Sequence, residues 1–318
     1  MSLTLEQYAT QLDGRRDLSW PSPAEIRPPK AKAHLVLLPH IRVVTWNIYG
    51  TLLAIPTGEL LFQHPQQFIM DIALDKTVQE FKMWGSMTRK PGQPAEYLRQ
   101  LYTKAFDEQR MAPSPGEKHP EILAERVWEN IVKKLFQKEY KFDAGFFGSL
   151  NEYTRKIAYF FHASLQGTTC YPGAADALGE IRRRGLAQGV LADGQCFTLT
   201  QLQRGLVRQN PKATLDLLFD ADLRVLSSDV KARKPSERLF REMLPKLSQR
   251  GLEPFQVLHI GSRVAEDLVP ARKLGMRTGL VAADKESLRA SVDQLKDASS
   301  RPDVLLTDLK QIADVVPS

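Results

Sequence analysis

Val43-Val44-Thr45-Trp46 is an apolar, β-branched run that reaches one polar side chain, Asn47, and breaks at Tyr49-Gly50-Thr51. That pattern reads as a buried strand whose last side chain emerges at the carboxyl end of a sheet, followed by a tight turn. Further short apolar runs recur at about 187–192, 222–226, 257–261, 278–282 and 303–306, with helical periodicity between them. Tyr171 to Gly185 reads as one intervening helix, with Pro172 near its start and Gly185 at its end. Gly251 and Gly275 close two others. Strand–helix–strand crossovers of this length imply parallel strands with both faces covered. The expected architecture is α/β, a doubly wound parallel sheet, and open sheets of this kind hold ligands beyond the carboxyl ends of their strands.

A long insert separates the first strand from the rest. Leu52 to Leu61 looks like a hairpin, apolar arms around a Pro56-Thr57-Gly58 turn. From about 62 to 168 the period becomes helical: Phe68, Ile72 and Ala73 share a face, as do Tyr97, Leu98, Leu101, Tyr102, Ala105 and Phe106. Val127, Trp128, Ile131, Val132, Leu135 and Phe136 make a third stripe, and Tyr153, Ile157, Phe160 and Phe161 a fourth. Residues 111–120 form a loop that leads into a helix started by Pro120. The expected organisation is an N-terminal extension over 1–40, an α/β core from 41–61 and 169–318, and an all-helical cap of four or five helices over 62–168. Within the extension, Leu5, Tyr8, Ala9 and Leu12 suit one short amphipathic helix, and Pro21, Pro23, Pro28 and Pro29 suit an extended strap.

Four strand ends carry polar groups in a fixed order. The first supplies Asn47, Tyr49, Gly50 and Thr51; the second is Val190-Leu191-Ala192-Asp193-Gly194-Gln195. The third runs from Ser227 to Lys234-Pro235, and the fourth from Val257 through Gly261-Ser262 to Asp267, with Ala271 and Gly275 behind it. Together they resemble the four motifs of the haloacid dehalogenase (HAD) superfamily of hydrolases with an inserted helical cap, over about residues 41–316. Tyr49 and Ser262 are closest in style to the haloacid dehalogenase-like branch.

The resemblance implies a site built from Asn47, Tyr49, Thr51, Ala192, Asp193, Lys234, Ser262 and Asp267. It also implies that Asn47 stands where the family has its nucleophilic aspartate. A neutral amide oxygen is far less nucleophilic than a carboxylate, and loss of a nucleophile in a protease costs on the order of 10⁶ in rate. Tyr49 occupies the place of the phosphatases' acid/base aspartate, and a phenol with a pKa of about 10 is a poor proton shuttle at neutral pH. Ala192 replaces a Ser or Thr whose hydroxyl binds a phosphoryl or carboxylate oxygen, and it has no donor to offer. Asp193 reads as a turn cap, with a substitute nucleophile as the alternative. Lys234 matches the lysine that neutralises the nucleophile and the bound anion. Ser262 replaces an acid that ligates Mg²⁺ in phosphatases, and Asp267 keeps the second. Mg²⁺ prefers several hard oxygens including carboxylates, so weak or absent Mg²⁺ binding at Asp267, and no other cofactor, is expected. His259 and Cys196 read as packing residues.

The residues and the resemblance together lead to the expectation of a HAD-like hydrolase scaffold with impaired or absent standard catalysis. It would retain a binding role toward a small anion of phosphate or carboxylate type, or toward a protein partner. With Asn47 neutral, Lys234 is expected to lack its counter-charge and so to leave room for an anion. The alternative is an active HAD hydrolase that uses Asp193, water held by Asp267, or Asn47 deamidated to aspartate. Composition narrows the setting. An apolar fraction of 42% over 318 residues suits a packed globular chain, and no apolar run approaches a membrane span. No basic flank precedes an apolar stretch at the N-terminus, so no signal peptide is expected. Two cysteines, Cys170 and Cys196, suit neither a disulfide framework nor a zinc site, and a cytoplasmic location is expected. The net charge of +7 includes the clusters Arg182–Arg184 and Lys231–Lys234. It lacks the aromatic-interleaved basic stripe of single-strand binders, so no nucleic acid is expected as a partner.

Overall fold

The computed structural model describes residues 2–87, 94–112 and 114–318; Met1 of the extension, residues 88–93 of the expected cap and Pro113 of the expected loop lie outside the described residues. Strand β1 (Val43–Trp46) is buried at all four positions, as its continuous apolar run requires. Two short strands, β2 (Leu53–Ala54) and β3 (Thr169–Cys170), form a ribbon of their own. The main sheet is completed by β4 (Ala187–Ala192), β5 (Arg224–Leu226), β6 (Val257–Gly261), β7 (Arg277–Val281) and β8 (Val304–Leu306). Its order is β5-β4-β1-β6-β7-β8 and every pairing is parallel. Trp46 lies opposite Val190 on one side and Ile260 on the other. The chain builds outward from β1 in one direction and then crosses to build in the other. The carboxyl ends of β1, β4 and β6 therefore flank the point where the winding reverses.

The expected hairpin at 52–61 is not formed. Leu53 pairs antiparallel with Cys170, so β2 joins the returning chain at the far end of the insert rather than its own second arm. The Pro56–Gly58 segment is a tight turn closed by a 3.0 Å bond from the Gly58 amide to Ile55 O, with Thr57 at a positive φ of 65°. Two residues on each side suffice to bring the exit from the core and the re-entry side by side.

After α1 (Leu5–Asp13), the insert holds α2 (Gln67–Glu80), α3 (Pro94–Arg110), α4 (Ala124–Phe136), α5 (Ala144–Phe147) and α6 (Leu150–Leu165). A capping box starts α6, in which Ser149 Oγ accepts from the Glu152 amide and Glu152 Oε2 accepts from the Ser149 amide. The third and fourth stripes bury as read, except that Phe136, at the last position of α4, is 38% exposed. The first stripe is corrected. The buried face of α2 is Met70, Ala73, Leu74, Thr77 and Val78, whereas Phe68 is 75% exposed and Ile72 37%. At 3.6 residues per turn, Phe68 and Ile72 fall on the opposite side of α2 from this face. Pro120 does not start a helix either; α4 begins at Ala124, because Pro120 is drawn into a β-bridge with Ala232.

The extension folds as its pattern suggests and ties the layers together. Helix α1 is started by a Thr4–Gln7 capping box and buries Tyr8, Ala9 and Leu12, with Leu5 half-buried. Tyr8 donates to Glu80 on α2 at 3.1 Å, while Asp13 pairs with Arg204 and Arg208. Those arginines sit on α8 (Thr198–Gln209) of the α/β core, which follows α7 (Ala174–Arg183). The strap then bridges Pro23 to Gly167 and exchanges two 2.9 Å backbone bonds between His34 and Leu305 of β8. No helix among the described residues is long and apolar enough to cross a membrane.

Candidate functional site

The polar residues beyond the strand ends converge on one lysine. Asn47 follows β1 and continues its ladder through a 2.8 Å bond from its amide to Ile260 O. Lys234 Nζ donates to Asn47 Oδ1 at 3.1 Å and to Asp267 Oδ1 at 2.6 Å. Asn47 and Lys234 are 5% exposed and Asp267 1%, so the trio is shielded from bulk water. The expectation that Lys234 would lack a counter-charge is thereby corrected: Asp267 reaches it directly. Burial alone would push the Asp267 carboxyl up, but Lys234 foremost, and Arg263, outweigh it and hold the group below the ordinary carboxylate range. The other oxygen, Oδ2, accepts from the amides of Ser262 and Arg263 at 3.0 Å each. This approach requires Gly261, because a Cβ there would overlap the Asp267 carboxylate.

The remaining residues surround this frame. The Asn47 amide nitrogen donates to Tyr49 O at 3.0 Å. The Tyr49 hydroxyl is buried against Thr198 at 2.9 Å and Gln201 at 2.6 Å, and burial drives its pKa upward. Gly50 takes a positive φ of 78° at the turn, where a Cβ would stand 2.9 Å from Ser262 Oγ. Thr51 Oγ1 and Ser262 Oγ are both buried with no hydrogen-bond partner among the described residues. Ala192 is the last residue of β4 and fully buried. Asp193 does not cap its own turn; its Oδ1 accepts from the Lys234 amide at 2.8 Å and so clamps the second strand end to the third. Burial, only partly offset by Lys234, raises the Asp193 pKa. His259 shares Nδ1 with Thr45 Oγ1 at 3.0 Å and is held neutral, its pKa lowered to about 3 by burial and then by Lys234.

Asn47, Tyr49, Asp193 and Asp267 open onto a cavity of about 40 Å³ whose wall also includes Glu121, Arg233 and Arg263. That volume holds a few water-sized groups. A larger cavity, about 1250 Å³, lies between α2, α5 and the segment that follows α1, and touches none of the strand-end residues.

Glu121 was not legible from sequence, because it comes from the loop ahead of α4. Two contacts set it in place. Backbone bonds pair the loop with the third motif, Arg233 N to His119 O at 2.9 Å and Glu121 N to Lys231 O at 3.3 Å. Gln195 of the second motif donates to Ile122 O and accepts from the Ala124 amide, both at 2.9 Å. The Glu121 carboxyl meets Ser227 Oγ, and burial followed by the charge of Asp193 pushes its pKa up to about 7. Arg263 spans to Gly58 O at 2.6 Å and to Glu59 at 3.6 Å, closing the opposite side.

Known proteins resemble this chain over parts of its length. A family model described as HAD-hydrolase-like matches residues 231–312. The phosphoserine phosphatase of Thermus thermophilus is 30% identical over 193 residues, which cover 61% of this chain and 68% of that protein. The chain belongs to the haloacid dehalogenase superfamily. The glyceraldehyde 3-phosphate phosphatase of Methanocaldococcus jannaschii is 27% identical over 146 residues, 46% of this chain, and the match spans little more than half of that relative, 56%. Among solved structures, the 2-haloacid dehalogenase of Pseudomonas syringae pv. Tomato DC3000 shares the fold with a TM-score of 0.50 at 18% identity, over 86% of this chain and 96% of that one.

Phosphatases of the HAD superfamily bind Mg²⁺ at the strand ends that here bear Asn47, Ser262 and Asp267. These residues do not suit that ion. Both Asp267 oxygens are engaged, by Lys234 and by two backbone amides, and Asn47 Oδ1 also faces Lys234. Ser262 Oγ is the one uncommitted oxygen of the three side chains, and it is neutral. Among the described residues no group of three or more His, Cys, Asp or Glu side chains is placed to hold a metal.

Proposed function

We propose that this HAD-fold protein has lost the covalent aspartyl step and uses the strand-end pocket to bind a small anion of phosphate or carboxylate type. One observation carries the reading. At the nucleophile's position the Asn47 amide is fixed with its oxygen 3.1 Å from Lys234 and its nitrogen 3.0 Å from a backbone carbonyl. Its oxygen and its nitrogen each hold a hydrogen bond, and the neutral group has no charged lone pair to direct at phosphorus or carbon. What supports anion binding is the set of cations on the wall, Arg233 and Arg263, with Lys234 behind them. Of these, Arg233 is exposed and has no carboxylate within ion-pair distance among the described residues.

The reading is tested on one sample by turnover and by binding. Phosphate and halide release from wild type should match the no-protein control, with a peptide mass confirming asparagine at 47. Calorimetric titration with formate and with inorganic phosphate should show binding that Arg233→Ala weakens. Turnover with Asn47 intact would overturn the loss of catalysis and move the chemistry to Asp193. Absence of binding by both anions would overturn the binding role.

A further inference from the structure

Glu121 enters the pocket on a loop fastened to two core motifs, and both of its oxygens are held: Oε1 accepts from the Ile122 amide at 3.0 Å and Oε2 meets Ser227 Oγ. Six charged side chains line the cavity: Glu59, Glu121, Asp193, Arg233, Arg263 and Asp267. Two of the carboxylates are matched one to one, Asp267 by Lys234 at 2.6 Å and Glu59 by Arg263 at 3.6 Å. The charge of Arg233 is left to act on both Asp193 and Glu121, an excess of one negative charge when both acids are ionised.

An anion entering this space adds to that excess unless a carboxylate gives up its charge. We propose that Glu121 sets the charge of the ligand this pocket accepts, taking up one proton as a singly charged anion binds and disfavouring a dianion. The proposal rests on the anion-binding reading above.

The hydrogen bonds suit Glu121 in either state. When it is ionised, the Ser227 hydroxyl donates to Oε2. When it is protonated, Oε2–H can donate to Ser227 Oγ, while the Ser227 hydroxyl turns to Gly194 O, 3.2 Å away. The Gly194 amide donates to Ser227 Oγ at 2.9 Å in both. No buried partner is stranded by the change. Burial and Asp193 already bring the group to about 7, against the opposing pull of Ser227 and Arg233. Exchanging the charge of Glu121 for that of a monoanion leaves the pocket's total unchanged, whereas a dianion cannot be matched by one proton.

Formate and sulfate keep fixed charges of one and two between pH 6 and 8.5, so they separate the ligand's titration from the protein's. Titration calorimetry on the full chain should show formate affinity falling up to about tenfold per pH unit above 7. Uptake should approach one proton per formate at pH 8, read from two buffers of different ionisation enthalpy. Sulfate should bind roughly tenfold or more weakly than formate. In Glu121→Gln, the neutral isostere, formate affinity should become flat with pH. A flat profile without proton uptake in wild type, an unchanged slope in Glu121→Gln, or sulfate binding tighter than formate would each overturn the proposal. Proton uptake by wild type decides the matter if the variant does not fold. If neither anion binds either protein at any pH, the anion-binding reading falls and this proposal with it.

Discussion

Asp267→Ala should unfasten the site, and the structure allows the loss to be sized. Lys234 Nζ and Asp267 Oδ1 lie 2.6 Å apart with both side chains 1% exposed. After the substitution Lys234 keeps one neutral acceptor, Asn47 Oδ1 at 3.1 Å, and the amides of Ser262 and Arg263 lose theirs. Removing one member of a buried pair costs about 3–5 kcal/mol, because the survivor is a buried, uncompensated charge. An orphaned buried amide adds roughly 1–3 kcal/mol where water cannot reach it. The effects share partners and do not add in full, so about 4 kcal/mol is expected. At roughly 2–4 °C per kcal/mol for a large domain, Tm should fall by about 10 °C at pH 7 in a thermal scan.

The acid limb supplies an independent check. The folded Asp267 carboxyl lies below its unfolded value of about 3.9, so its stabilisation is fully present above that value and is lost as pH falls through the folded one. Wild type should therefore lose its advantage over Asp267→Ala below about pH 4. A double change to Lys234→Met with Asp267→Leu should cost less than Asp267→Ala alone, since it strands no charge. A Tm drop under about 2 °C at pH 7 would refute the reasoning, by showing that water or another group already solvates Lys234.

Three further outcomes follow from the same contacts. Asn47→Asp should lower Tm by a few degrees despite adding charge beside Lys234, because an oxygen would replace the amide nitrogen now 3.0 Å from Tyr49 O; a higher Tm would show that attraction to Lys234 prevails. Gln195→Ala removes both side-chain bonds that hold Ile122 and Ala124, about 1–2 kcal/mol of local stability. Amide exchange at 119–124 should then accelerate roughly tenfold, and unchanged exchange would mean that the pairing with residues 231–233 holds the loop alone. Tyr8→Ala empties a fully buried ring site between α1 and α2 at about 3–5 kcal/mol, whereas Asp13→Ala, at a 45% exposed partner, should cost under about 1 kcal/mol; thermal scans of the two variants compare them directly.

The core was legible because strands buried on both faces write themselves as continuous apolar runs, and each run from 187 onward matches an observed strand to within two residues. The strand-end residues were legible for a related reason: a polar side chain at the end of such a run has nowhere to go but the sheet's carboxyl edge. What failed was pairing between distant segments. Leu53 finds Cys170 and Pro120 finds Ala232, and neither choice leaves a local signature, since two-residue ladders are specified by where the flanking helices deliver the chain. Glu121 was missed on the same ground. Its neighbours in sequence are loop residues, and the pocket it enters is formed by motifs more than seventy positions away. The counter-charge on Lys234 was misjudged because spacing along the chain does not say which carboxylate a flexible lysine reaches.

The geometry at Asn47 bears on how a strand end can carry a neutral amide and keep the frame around Lys234 intact. In a site where the lysine's main partner was the residue at 47, a neutral substitute would leave a buried cation, and the frame would loosen. Here Asp267 lies close enough to neutralise Lys234, and its second oxygen is bound by two backbone amides that depend on Gly261 and not on residue 47. The frame is electrically complete without a charge on β1. The residue at 47 is then free to be chosen by its local partners, which are a cation on one side and a carbonyl oxygen on the other. An amide satisfies both at once, as acceptor toward Lys234 and donor toward Tyr49 O, whereas an ionised carboxylate satisfies the first and repels the second. The site is thus fitted to asparagine in its hydrogen bonding and not merely tolerant of it.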